Sequence, residues 1–154
     1  MPDYRVIIAG SRSFNDYPLL REHCLSLLLE KMKTHRVIIV SGHARGADSL
    51  GERFAHEFNL PFELHPANWR LLGKAAGMVR NAEMAKCSDA LIAFWDGESR
   101  GTRHMINFAR KRGLEVSVIN TTLKNWTDNN SQTTKRNTIV PPDEEKLVIK
   151  CCHR

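Results

Sequence analysis

Short runs of β-branched and aliphatic residues recur at 4–9, 37–41, 61–65, 89–95 and 115–119, and between them the apolar positions take helical spacing near 17–34, 46–58, 75–86 and 102–112. Val37-Ile38-Ile39-Val40 and Ala90-Leu91-Ile92-Ala93-Phe94 show no polar alternation, the pattern of strands covered on both faces. Leu19, Leu20, His23, Cys24, Leu27 and Leu28 keep a helical spacing in the first helical stretch, and Gly113 stands where the last should end. Alternation of strand and helix through short connections predicts an α/β fold. The expected form is a Rossmann-like, doubly wound parallel sheet between two helical layers, with about five core strands and right-handed crossovers. In the usual order, 3-2-1-4-5, the switch point falls between the first and fourth strands, and ligands bind there at the carboxyl ends.

Three of the strands run into small-residue loops that open helices. The loops are Gly10-Ser11-Arg12-Ser13-Phe14, Ser41-Gly42-His43-Ala44-Arg45-Gly46-Ala47-Asp48 and Asp96-Gly97-Glu98-Ser99-Arg100-Gly101-Thr102. A strand that ends beside a helix N-terminus presents backbone N–H groups and the positive end of the helix dipole together, which suits an anion. With the expected strand order the three loops meet in one cleft, and a phosphate-bearing ligand is the predicted occupant.

At 154 residues the chain suits one domain with its own core. The polar composition changes near Asn120, so the expected division is a folded domain over 1–120 and a flexible polar extension over 121–154. In that extension Leu147-Val148-Ile149 is a candidate edge strand. No run approaches the length of a membrane span and the N-terminus leads directly into a strand, so a cytoplasmic location away from membranes is expected. The four cysteines, Cys24, Cys87, Cys151 and Cys152, have no CxxC spacing, which argues against a metal site. No cofactor is called for by the pattern. The formal net charge of +6 favours nucleotides or nucleic acid, but basic residues interleaved with aromatics as a stacking platform are absent.

Four motifs taken together carry a resemblance: Gly10-Ser11-Arg12-Ser13-Phe14; Ser41-Gly42 with Ala44 and Gly46-Ala47-Asp48; Gly77 with Arg80-Asn81 and Met84; and Asp96-Gly97 with Ser99 and Gly101-Thr102. Through residues 4–120 the chain resembles the YspA-type branch of the SLOG superfamily, a Rossmann-like group that includes the LOG phosphoribohydrolases, DprA and molybdenum-cofactor carriers. The resemblance implies a pocket for nucleotides or nucleotide-derived ligands, and pairing with a second copy. It also implies a check on chemistry. Arg80 matches an arginine that assists N-glycosidic cleavage in LOG enzymes, but Met105 stands where their glutamate falls, and Trp95-Asp96-Gly97 replaces their Pro-Gly-Gly. A thioether cannot act as a base or stabilise an oxocarbenium ion, so binding is favoured over LOG-type hydrolysis.

The residues expected to bind ligand are Gly10, Ser11, Arg12, Ser13, Ser41, Gly42, Arg45, Gly46, Asp48, Arg80, Asn81, Asp96, Ser99, Gly101 and Thr102. Arg80 and Asp96 are also the catalytic candidates should the chain be a nucleoside or nucleotide N-glycosidic hydrolase or transferase. Each has an ordinary alternative. The glycines serve tight turns, the hydroxyls cap helices, Asp48 balances a helix dipole, and the arginines are solvated. Trp69 reads as a packing residue in preference to a base-stacking one, and His43 and His104 as surface or packing residues. Two functions of different kind follow: a nucleotide-binding domain acting as sensor or enzyme, and a DprA-like nucleic-acid module. A pterin-cofactor carrier is a third.

Overall fold

The computed structural model describes residues 1–122; the expected polar extension, its Leu147-Val148-Ile149 strand, Cys151 and Cys152 lie outside the described residues. Five strands form the sheet: β1 (Asp3–Gly10), β2 (Arg36–Ser41), β3 (Phe62–Leu64), β4 (Ala90–Trp95) and β5 (Glu115–Asn120). All neighbours are parallel, and the order is β3-β2-β1-β4-β5, as the alternation predicts. Helices α1 (Tyr17–Thr34), α2 (Ala47–Glu57), α4 (Ala76–Lys86) and α5 (Arg100–Lys111) connect them, with a short α3 (Trp69–Leu72) and a 3₁₀ turn (Gly73–Ala75) before α4.

Three helix starts, those of α1, α3 and α5, are capped by a side chain. Asp16 accepts a hydrogen bond from the Leu19 amide at 3.1 Å and opens α1, Asn68 does the same for Leu71 at 3.0 Å, and Ser99 for Thr102 at 3.4 Å. One apolar layer joins Val6 and Ile8 of β1 to Leu20, Cys24 and Leu28 of α1 and Phe54 of α2. A second joins Ile7 and Ala9 to Met84 of α4 and to Met105, Ile106 and Ala109 of α5. Successive residues of β1 thus feed opposite layers, which is why the central strands read as unbroken apolar runs. The chain leaves β3 at one edge and re-enters at β4 on the other side of β1, so the carboxyl ends of β1 and β4 open the crevice between the two helical layers. Among the described residues no helix is long and apolar enough to cross a membrane.

Candidate functional site

A cleft of about 550 Å³ lies at this switch point, within the usual size range for small-ligand sites. Its walls come from four places: the loop after β1 (Gly10 to Ser13), the loop before α2 with its first turn (Ala44 and Asp48), the excursion between β3 and α4 with α4 itself, and the loop after β4 with the start of α5 (Asp96 to Thr102). Met84 and Met105, each 1% exposed, also line it. At position 105 the cleft therefore meets a thioether.

Arg80 reaches across from α4. Its Nη1 donates to the Gly42 carbonyl at 2.6 Å and its Nε to Asn81 Oδ1 at 3.1 Å. Asn81 in turn donates to the Gly101 carbonyl at 3.3 Å and stands 3.2 Å from His104 Nδ1, so it ties α4 to the start of α5 and holds the guanidinium in place. Burial pulls the Arg80 pKa down, nearby Asp48 pulls it up, and Arg12 adds to the lowering. Arg12 extends over the Trp69 ring at 5.8 Å, and Lys74 adds a third cationic side chain to the wall.

Two carboxylates share the cleft and differ in state. Burial pushes Asp48 up to about 6 against the opposing effects of Arg80, the Ala44 amide and Arg12, with Glu52 adding to the rise; its Oδ2 accepts from that amide at 3.2 Å. Asp96 is held below the usual carboxylate range because its Oδ1 accepts from the amides of Ser99 and Glu98, both at 2.8 Å. Of the N–H groups that α5 cannot satisfy within itself, Ser99 is thus taken by Asp96 and Thr102 by the Ser99 hydroxyl. Those of Arg100 and Gly101 are left at the cleft end of the helix.

Eleven of the expected ligand residues line the cleft: Gly10, Ser11, Arg12, Ser13, Asp48, Arg80, Asn81, Asp96, Ser99, Gly101 and Thr102. Ser41, Gly42, Arg45 and Gly46 do not. Ser41 is fully buried and donates to Glu52 at 2.7 Å, while His43 pairs with the same carboxylate at 2.9 Å. Gly42 lies behind Arg80 and Asp48, where a Cβ would come within 2.4 and 2.7 Å of their polar atoms. Gly46 is pressed against the β1 loop, and Arg45 is exposed. At the start of α2 the Ala47 amide donates to the Ser11 carbonyl at 3.3 Å, and just before it the Asp48 carboxylate takes the Ala44 amide, which puts a carboxylate where an anion would otherwise sit.

Trp69, expected to pack, is instead 50% exposed at the wall. Lys74 and Met78 also line the cleft without having been singled out, because nothing in their spacing separates them from an ordinary connection; their position between Trp69 and the Arg80 motif was the available signal.

This fold and site define a Rossmann-like α/β domain with a cation-lined crevice at its switch point. The profile of the YspA, cpYpsA-related SLOG family matches residues 4–71. Gene 61 protein of Mycobacterium phage D29 is 38% identical over 120 residues, covering 73% of this chain and 93% of the phage protein. The chain belongs to this SLOG family. Among solved structures it resembles DNA processing protein A (DprA) of Streptococcus pneumoniae at TM-score 0.63 and 16% identity, over 92% of this chain and 59% of that one. It spans less than two thirds of that protein. DprA of Helicobacter pylori, described with a single-stranded DNA binding mode, matches at TM-score 0.58 and 21% identity, over 85% of this chain and 74% of that one. The molybdenum cofactor binding protein of Rippkaea orientalis matches at 0.57 and 17%, over 91% and 89%. At these identities the likeness establishes the shared fold.

Proposed function

We propose that the cleft binds a nucleotide or nucleotide-derived molecule through its phosphate. The observation that carries this reading is the convergence of Arg12, Lys74 and Arg80 with the N-terminal end of α5 on one cleft of nucleotide size. Half-exposed Trp69 beside Arg12 offers a face on which a base can stack. Asp96 and Met105 favour binding over hydrolysis: Asp96 is committed to two amides, and Met105 supplies no acid or base.

Thermal unfolding against nucleoside mono-, di- and triphosphates, NAD, ADP-ribose and a short single-stranded DNA tests the proposal. A ligand at about 100 times its dissociation constant adds about 2.7 kcal/mol, a rise of several degrees for a chain of this size. A rise with one small nucleotide class supports the cleft as a binding site. No small-molecule rise, together with a response to DNA that falls steeply with salt, overturns it in favour of a nucleic-acid module.

Asp48 makes the binding pH-dependent. A phosphate held by Arg12 and Arg80 disfavours the ionised carboxylate, so binding raises the Asp48 pKa further above about 6 and takes up a proton. Affinity is therefore highest below the free-state value and falls as pH rises through the interval up to the bound-state value, about tenfold for each unit between the two. ADP-ribose is the suitable probe because its diphosphate does not titrate in this range. Titrations at about pH 5.5 and about pH 8 should show the loss, and Asp48→Asn should flatten it; an equal slope in the variant would remove Asp48 from the account.

One observation keeps a second reading in play: a carboxyl near 6 on the cleft wall is poised for proton transfer. N-glycosidic cleavage through Asp48 predicts release of free base from the bound nucleotide, lost in Asp48→Asn and measurable by chromatography.

A further inference from the structure

Away from the cleft, β3 and the residue after it bury two ionisable side chains where an edge strand would ordinarily carry apolar ones. Glu63 is 3% exposed and His65 9% exposed. The ladder continues one residue past β3, with the His65 amide donating to the Ser41 carbonyl at 2.8 Å, so the two residues, spaced by two, point to the same face. Cys87, the C-cap of α4, comes over that face because the turn after it is stitched to β1: the Asp89 amide donates to the Arg5 carbonyl at 2.8 Å, and the Arg5 amide to Asp89 Oδ2 at 2.9 Å. The result is a carboxylate oxygen, an imidazole nitrogen and a thiol sulfur all within 4.8 Å of one another.

The hydrogen bonding of this cluster is incomplete. Neither Glu63 oxygen nor His65 Nε2 has a hydrogen-bond partner among the described residues. His65 Nε2 lies 3.3 Å from Glu63 Oε1 without hydrogen-bond geometry, and Arg5 Nε approaches that oxygen only to 3.9 Å. A buried carboxylate left in this state is costly. The 3.3 Å separation is, however, about the edge of a tetrahedron whose centre holds both atoms at zinc-ligand distances.

The geometry points to a divalent metal site of zinc type formed by Glu63, His65 and Cys87, with the fourth position left to water or another donor. The mixed thiolate, imidazole and carboxylate set suits zinc and disfavours magnesium and calcium, which take oxygen ligands. A dication with one carboxylate and one thiolate is neutral, and the thiol proton is released on coordination. Arg5 adds a nearby positive charge that weakens the site relative to the same ligands without it. The ion ties the end of β3 to the end of α4 and so closes the stretch from His65 to Cys87, which carries Trp69, Lys74, Arg80 and Asn81 to the cleft wall. The ligands are distant in sequence, which is why no spacing reveals them.

The test uses the full chain with Cys151→Ser and Cys152→Ser, so that the C-terminal thiols contribute nothing. Zinc is expected to bind with one ion per chain, and cobalt(II) to give thiolate-to-metal charge-transfer absorption with tetrahedral visible bands. His65→Ala and Cys87→Ser should each weaken zinc binding by more than about 100-fold, beyond what loss of an outer-shell partner costs, and Cys87→Ser should abolish the charge-transfer band. Far-UV circular dichroism establishes that each variant is folded, and Glu63→Gln replaces one that is not. No charge-transfer band in the parent, or equal zinc affinity in parent and folded variants, overturns the site.

Discussion

Arg80→Ala is expected to remove most of the thermal shift produced by the cleft ligand while leaving the unliganded protein folded. Arg has five N–H donors, and Arg80 places one on Gly42 and one on Asn81, leaving the rest of its fork for an anion in the cleft. Loss of charged hydrogen bonds of this kind costs about 1.5–3 kcal/mol, which lowers affinity about 10–150-fold. At a concentration that saturated the parent 100-fold, a 100-fold weaker variant is stabilised by about 0.4 kcal/mol in place of about 2.7, and the shift shrinks to about a degree. Arg80→Lys should fall between the two, because an ammonium keeps the charge but not the fork. The substitution also removes the largest influence holding Asp48 down, so the Asp48 pKa should rise further in Arg80→Ala. Full ligand shift in Arg80→Ala would take this side chain out of the binding site.

Gly46→Ala should damage the fold severely. Gly46 has φ +81°, and an added Cβ would stand 2.3 Å from the Ser11 carbonyl oxygen and 2.6 Å from the Arg12 carbonyl carbon and oxygen. All three are backbone atoms, so no rotamer change relieves the contact, and the conformation is one that side-chain-bearing residues rarely adopt. A loss of about 4 kcal/mol, or about 10–15 °C in unfolding temperature, is expected, with loss of ligand binding because the β1 loop must move. Gly101→Ala is the informative contrast. A Cβ there meets nothing within 4 Å, yet the residue lines the cleft. Its unfolding temperature should stay within about a degree or two of the parent, while ligand binding weakens if the phosphate approaches that backbone closely. Equal stability of the two variants would refute this account of why loop 42–46 is glycine-rich.

The strands were legible because β1, β2 and β4 are buried on both faces and their apolar runs are uninterrupted, and the order followed from helical connections that force parallel crossovers. Helix α5 begins at Arg100, two residues before its apolar pattern, because its cap is the polar Ser99. Helix α3 was not legible: four residues with no buried side chain leave no periodicity to read. In the cleft, the loops after β1 and β4 declared themselves through glycine and hydroxyl residues next to strand ends. The loop after β2 has the same composition but a different task. Its Ser41 serves Glu52, its Gly46 serves the neighbouring loop, and composition does not distinguish close approach to a ligand from close approach to another part of the chain. The buried grouping of Glu63, His65 and Cys87 depends on which strand lies under which helix end, a relation that no local pattern contains.

Trp69, Lys74, Met78, Arg80 and Asn81 all belong to the single excursion between β3 and β4, whereas Gly10 to Ser13 and Ser99 to Thr102 sit on the strand ends of the central sheet. On the proposed reading the cations that meet the phosphate come from both stretches, Arg12 from the strand ends and Lys74 and Arg80 from the excursion, while Trp69 and Met78 of the excursion add the exposed apolar surface. Because that excursion lies outside the strands, substitutions at Trp69 or Met78 can reshape one wall of the cleft without disturbing the sheet, so related proteins can diverge in ligand while keeping the same scaffold.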